Sequence, residues 1–192
     1  MAFETFEYVG ERCQVLFGDG TLKNLPQLLG KLDMKNILVL STPEQLSVAE
    51  KVQDIISELQ VKIFSEATMH TPTHITEKAL RVIEETSADG IVSVGGGSTI
   101  GLGKALATRT GVLHVCIPTT YAGSEMTPIL GETEAGRKVT RRDRSILPTA
   151  VLYDVSLTMT LPVKLSVYSG INAIAHSGQY SSGQNRVALL TI

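Results

Sequence analysis

The sequence predicts a doubly wound α/β fold built on a parallel sheet. From residue 36 to 117, short apolar runs alternate with stretches of helical period, and such alternation winds into a parallel sheet. The runs at 36–40, 90–94 and 112–117 are apolar on nearly every residue, as strands covered on both faces are. The run at 90–94 ends in Gly95-Gly96-Gly97-Ser98, directly before a helical stretch at 99–110. Strand, glycine turn and helix form the layout of a nucleotide-phosphate site. Glycine lets the backbone turn sharply and approach a phosphate, and a helix N-terminus offers unpaired N–H groups and partial positive charge.

The elements follow in order. Residues 12–17 read as a short strand ending in the turn Gly18-Asp19-Gly20. Thr21 is placed to cap the next helix, whose apolar side is Leu22, Leu25, Leu28, Leu29 and Leu32. Pro26 stands too far inside for the first helical position and is expected to shorten or kink that helix. After the strand at 36–40, Ser41-Thr42-Pro43 starts a helix with Leu46, Ala49, Val52, Ile56 and Leu59 along one face. Residues 61–64 are the next strand. Thr71-Pro72-Thr73 opens a helix with the stripe Ile75, Ala79, Val82 and Ile83. Gly111 stops the helix at 99–110 ahead of the strand at 112–117. Residues 131–138 are polar and turn-rich and read as a hairpin or excursion, and residues 150–154 as a last strand. Leu161-Pro162 opens a helix to about residue 175. Residues 177–192 carry no helical stripe and are expected to be disordered or loosely held.

Composition narrows the function classes. A chain of 192 residues, 43% hydrophobic and 19% charged, can bury a core as a globular protein. A net charge of −2 gives no basis for nucleic acid or an anionic membrane as partner. No apolar run approaches a membrane span, and residues 1–9 lack the basic start and apolar stretch of a signal peptide, so a cytoplasmic location is expected. Cys13 and Cys116 stand far apart, and Cys116 lies in an apolar strand, so a buried inert thiol is expected rather than a disulfide.

Two stretches carry the chemistry, and both fall at carboxyl ends of strands, where ligands of such sheets bind. The glycine turn is neither of the common fingerprints. Ile100 replaces the third glycine of G-x-G-x-x-G. Ser98 stands where a P-loop before Gly103-Lys104 needs its first glycine, and Ala105 replaces the magnesium-binding hydroxyl, which disfavours ATP or GTP hydrolysis. Taken alone, the turn fits a phosphate site or a plain tight turn. The second stretch, residues 118–125, groups Thr119, Thr120, Tyr121, Ser124 and Glu125. Such hydroxyls bind ribose, phosphate or a carboxamide, or simply bond their own backbone.

Together the segments GGGSTIGLGK (95–104) and PTTYAGSEMTP (118–128) resemble the iron-containing alcohol dehydrogenase family, and most of all its maleylacetate reductase branch. ILGETEAGRK (129–138), Tyr153-Asp154 followed by LTMTLP (157–162), and SGINAIAH (169–176) add to the resemblance in consistent order. The resemblance implies a dehydroquinate synthase-like nucleotide domain over residues 1–160 and the first helix of a mostly missing helical domain over 161–176, with the divergent tail at 177–192. It implies reduction of maleylacetate to 3-oxoadipate with NADH or NADPH, in aromatic compound breakdown. Gly95, Gly96, Gly97 and Ser98 would hold the pyrophosphate. Thr119, Thr120 and Ser124 would line the nicotinamide side, with Lys138 facing the cofactor region as a catalytic candidate. Tyr121, Asn172 and His176 would meet substrate, and His176 would assist proton transfer. A surface histidine without a role is the plain alternative for His176.

Departures from the family pattern bear on metal, cofactor and completeness. Metal-dependent relatives have an aspartate at the position of Asn172, four residues before His176; asparagine brings no charge to a divalent ion, so no metal is expected. Relatives that reject NADP carry an acidic residue near Thr42, and none stands at that position here, so NADPH would be accepted along with NADH. Arg137, Lys138, Arg141, Arg142 and Arg144 form a basic cluster read as a solvated hairpin face, with Lys138 the exception. His70 and His74 are separated by Pro72 and read as structural or solvated. The resemblance stops at His176, so a catalytically silent NAD(P)-binding fragment stands as the alternative, and a metal-dependent alcohol dehydrogenase as a second one. A small-molecule substrate is expected, and a homodimer is allowed.

Overall fold

A computed structural model describes residues 13–159 and 161–182, and within the last helix the side chains up to residue 171 and that of Ile174. In chain order the elements are β1 (Gln14–Gly18), α1 (Leu25–Lys31), β2 (Asn36–Leu40), α2 (Leu46–Ile55), β3 (Gln60–Phe64), α3 (Thr73–Thr86), β4 (Gly90–Gly95), α4 (Gly97–Thr110), β5 (Leu113–Pro118), β6 (Ile129–Glu134), β7 (Arg137–Arg142), β8 (Ala150–Asp154) and α5 (Val163–Ser182). Six strands form one sheet in the order β1-β8-β5-β4-β2-β3, and every neighbouring pair is parallel. The α/β prediction holds.

The sheet is wound on both faces, and the side-chain alternation of each strand sorts the core. Ile37, Val39, Val92, Val94, Val115 and Ile117 face α1 and α2, packing against Leu25, Leu28, Ala49 and Val52. Leu38, Leu40 and Ile91 face the other way, against Ile75, Ala79 and Ile83 of α3 and Leu102 and Leu106 of α4. With both faces covered, β4 is buried along its whole length, which is why its sequence is apolar without alternation. β3 lies on one side of β2 and β4 on the other, so the direction of winding reverses between β2 and β4. That reversal opens a crevice at the carboxyl ends of those two strands, where Ser41-Thr42 and the glycine turn emerge.

The long connection from β5 to β8 carries the antiparallel hairpin β6–β7. Its two-residue turn puts Ala135 at φ 47° and Gly136 at φ 76°, the positive pair that a tight hairpin turn demands. The hairpin is anchored to the body where Thr133 N–H donates to Thr71 O at 3.2 Å and Asp143 N–H to Pro128 O at 3.1 Å.

Several local expectations are corrected. Thr21 does not cap a helix: a 3-10 turn, Thr21–Asn24, precedes α1, and the Thr21 hydroxyl donates to Tyr153 O at 2.8 Å. That turn absorbs the early residues, so Pro26 falls in the first turn of α1, where proline costs nothing. A 3-10 turn at Pro43–Gln45 likewise precedes α2. α4 starts at Gly97 rather than 99. α5 continues to Ser182, past the point where the missing apolar stripe argued for a disordered tail. The segment 177–182 contains no proline or β-branched residue to break a helix. The remainder of the predicted tail, 183–192, lies outside the described residues. Cys116 is buried and Cys13 half-buried, both as free thiols. Among the described residues no helix is long and apolar enough to cross a membrane.

Candidate functional site

The two predicted stretches meet at the carboxyl ends of β4 and β5. Gly95 pairs with Pro118 in register, and Thr119 N–H donates to Gly95 O at 3.1 Å. Gly95 takes φ 150°, and a Cβ there would lie 2.6 Å from Thr99 Oγ1 and 2.7 Å from Gln45 Oε1, so only glycine fits between the turn and α2. Gly96 is the N-cap of α4, and a Cβ on it would touch Thr120 at 3.1 Å. A Cβ on Gly97 would meet no protein atom within 4 Å, which leaves the first turn of α4 open to a ligand. Helix N-termini of this kind present unpaired N–H groups to anions.

The open space is a cleft of about 370 Å³ lined by Gly97, Ser98, Gly101, Ser124, Lys138 and the segment 69–71, with the β6 residues 129–131. Four sequence-predicted residues therefore share one cavity: Gly97, Ser98, Ser124 and Lys138. Strand alternation explains why Lys138 is singled out from its basic neighbours. On β7, Lys138 crosses Gly131, whose added Cβ would stand 3.3 Å from Lys138 Cε, and so reaches the glycine cleft. Val139 and Arg141 line a different cavity beside Arg109 and Glu132.

The remaining predicted residues are placed differently. Thr119 is 3% exposed, and its hydroxyl accepts from Gln45 Nε2 at 2.7 Å, so it braces α2 against the loop. Thr120 is half-buried beside Gly96, and Tyr121 is exposed. Thr42 follows β2 at the crevice, as expected. No acidic residue occupies the position of Thr42, but a nearby one reaches Thr42. The 3-10 turn at Pro43–Gln45 brings Glu44 back to it, and the Thr42 hydroxyl bonded to the Glu44 carboxylate holds that carboxyl below its ordinary range. Asn172 and His176 lie on α5 four residues apart, with side chains outside the described set.

Beneath the cleft is a buried polar layer that sequence reasoning missed. Lys104 is 1% exposed in the middle of α4. Its Nζ donates to Ser124 O at 2.5 Å, Thr127 O at 2.6 Å and Ile129 O at 3.0 Å. Burial pulls its pKa down to about 8, against the opposing charges of Cys116 and Glu125. Glu125 is buried too; its Oε1 accepts from Tyr153 O–H at 2.8 Å, while Oε2 has no partner. Burial first, then the Glu125 carboxylate, pushes the Tyr153 hydroxyl upward. His114 is bonded to Ser93 Oγ at 2.8 Å, and burial, helped by Lys104, drives its pKa down to about 3, so it stays neutral. One signal for Lys104 was present in the sequence: a lysine among Leu102, Ala105 and Leu106, on positions that pack inward. His70 and Thr71 were also passed over as site residues; both line the cleft with positive φ of 68° and 44°, backbone strain of the kind that collects at ligand sites.

A glycine turn opening a helix, at the switch point of a doubly wound parallel sheet, defines a nucleotide-binding α/β domain. The family model described as iron-containing alcohol dehydrogenase matches residues 13–155, and the chain belongs to that family. The chain is 45% identical over 184 residues to maleylacetate reductase 1 of Rhodococcus opacus, covering 95% of this chain and 52% of that protein. It is 44% identical over 187 residues to the maleylacetate reductase of Rhizobium sp. (strain MTP-10005), covering 96% and 53%. The crystal structure of maleylacetate reductase from Agrobacterium tumefaciens matches with a TM-score of 0.92 at 44% identity, again over 96% of this chain and 53% of that one. The chain spans about half the length of the curated relatives it matches.

The family name raises the question of iron. Among the described residues no group of three or more His, Cys, Asp or Glu side chains is gathered to hold a metal ion. The pair that the sequence offers, Asn172 and His176, combines a neutral amide with one imidazole, a poor donor set for a divalent ion.

Proposed function

We propose that this chain carries the cofactor-binding part of a maleylacetate reductase, which reduces maleylacetate to 3-oxoadipate. The observation that supports this reading is the shared cleft of Gly97, Ser98, Ser124 and Lys138 at the sheet's switch point, in a chain about 45% identical to maleylacetate reductases. The cofactor, NADH or NADPH, supplies the hydride when bound. The first turn of α4 offers N–H groups to its pyrophosphate, Ser98 adds a hydroxyl, and Lys138 adds positive charge. Thr120 and Ser124 orient the nicotinamide end, while Thr119 and Gln45 hold that loop in place. Glu44 beside Thr42 puts negative charge near the adenosine ribose, which disfavours a 2′-phosphate and makes NADH the preferred cofactor. Tyr121, Asn172 and His176 are the substrate-side candidates, and the reaction runs without a metal. Residues 1–160 form the nucleotide domain, and 161–176 start a helical domain. The enzyme acts on its small-molecule substrate in the cytoplasm.

A second reading, an NAD(P)-binding chain without catalysis, is favoured by the apolar side chains that α5 leaves uncovered, Val163 at 79% and Ile174 at 73% exposed. One experiment separates the two. NADH absorbance is followed in the purified chain with and without maleylacetate. Consumption that depends on maleylacetate supports the reductase. Saturable NADH binding without consumption supports the silent reading, and absence of both removes the cofactor reading.

A further inference from the structure

The segment that closes the glycine cleft has little structure of its own. Between Pro118 and β6 it holds one short 3-10 turn, Ser124–Met126, and otherwise crosses the first half of α4 as irregular chain. Glu125 to Tyr153 and Pro128 to Asp143 tie it at single points, and one buried ammonium gathers three of its carbonyls. Lys104 Nζ meets Ser124 O, Thr127 O and Ile129 O at 2.5, 2.6 and 3.0 Å, with Thr127 Oγ1 at 3.3 Å. An ammonium has three N–H groups, and three carbonyls take one each. Among the described residues no carboxylate forms an ion pair with this lysine: Glu125, the acid of the same segment, is bonded to Tyr153 O–H. Burying a charge among dipoles alone is costly, and an apolar side chain would fill the volume at lower cost. The ammonium adds a fixed position for three carbonyls, two of which belong to Ser124 and Ile129, residues of the cleft wall.

We propose that Lys104 is a positioning residue: its ammonium holds the 124–129 segment against α4 in the shape that binds cofactor, so that affinity depends on Lys104 remaining protonated. The proposal rests on the cofactor reading of the cleft. A neutral amine has two N–H groups for three carbonyls and turns a lone pair toward oxygen, so the segment is released when the proton leaves. The ionisable groups facing Lys104 are Cys116 and His114 from β5 and Glu125 from the segment itself. His114 stays neutral above about pH 3, and burial raises the Cys116 thiol well above its ordinary range, so neither titrates in the interval that matters. Burial brings the lysine itself to about 8. The bound form keeps the proton and the free form loses it. Affinity is therefore flat below that midpoint and weakens above it, by about tenfold between pH 7 and pH 9.

The test is a fluorescence titration of NADH against the chain from pH 6.5 to 9.5, in the wild type, Lys104→Met and Lys138→Met. Amide protection factors of Met126 and Thr127, measured without cofactor over the same range, accompany it. Wild-type affinity is expected to fall about tenfold from pH 7 to 9. Lys104→Met binds weakly with no pH dependence, and Lys138→Met binds more weakly with the wild-type midpoint. Both amides lose protection above pH 8 in the wild type. A wild-type affinity constant over the range overturns the proposal, as does a midpoint that survives Lys104→Met or vanishes in Lys138→Met. If Lys104→Met does not fold, the wild type and Lys138→Met decide. Absence of NADH binding at every pH overturns the cofactor reading and the pH-gated affinity with it, and the two amides then show whether Lys104 holds the segment.

Discussion

His114 shows how one side chain ties the site to its supporting core. It stands on β5 under α4, where Gly103 leaves the room it occupies: a Cβ there would lie 2.2 Å from His114 Nε2 and 2.3 Å from Ser93 Oγ. Burial keeps the ring neutral, with its pKa lowered to about 3. The unfolded chain takes up a proton on this histidine near pH 6.5, and the folded chain does not until far lower pH, so the unfolded state binds more protons in between. Stability is complete above that pH and is lost as pH falls below it, by roughly 2 kcal/mol between pH 7.5 and pH 5 from this group. Urea unfolding at the two pH values measures it, and His114→Gln is expected to remove that part of the loss. An equal loss in the variant would assign the acid sensitivity to the carboxylates. Asp154 is shifted in the same direction by a different cause: burial alone would raise its carboxyl, but Ser156, Leu22 and Gly20 donate to it and hold it low. It thereby stitches the end of β8 to the turn after β1.

α5 carries the least supported surface of the fold. Leu165, Val167, Tyr168, Ile171 and Ile174 are all exposed, a gathering of apolar side chains on one helix of the kind that marks a contact surface. The chain is expected to self-associate through it. Light scattering at micromolar concentration measures this, and Ile171→Gln with Ile174→Gln should shift the population toward monomer while leaving NADH affinity unchanged. A monodisperse wild-type monomer would contradict the expectation. The strands were the most legible elements, because β2, β4 and β5 are covered on both faces and write that burial as runs apolar on nearly every residue. The glycine turn was legible for the same reason: Gly95 marks a backbone that other residues cannot follow. Contacts made by chain folding back were not legible. Nothing in the spacing of residues 104 and 124–129 says that three carbonyls return to one lysine, and the short turn that brings Glu44 onto Thr42 leaves no periodic trace.

At the scale of the molecule, the proposed phosphate end of the site is the first turn of α4, at the switch point of the sheet. The six parallel strands align Thr42, the glycine turn and the 119–124 loop along one edge, so the order of the sheet, not any single motif, assembles the site. The central claim is therefore tested by NADH fluorescence titration at pH 7 on the wild-type chain and on Gly97→Val. A Cβ at 97 meets no protein atom within 4 Å and stands at the wall of the cleft, so a valine there is expected to obstruct a pyrophosphate while the fold is kept. The account predicts saturable binding by the wild type and binding at least about tenfold weaker in a variant with an unchanged melting temperature, a difference of about 1.4 kcal/mol. No saturable binding by the wild type, or equal affinity in the two proteins, would contradict it.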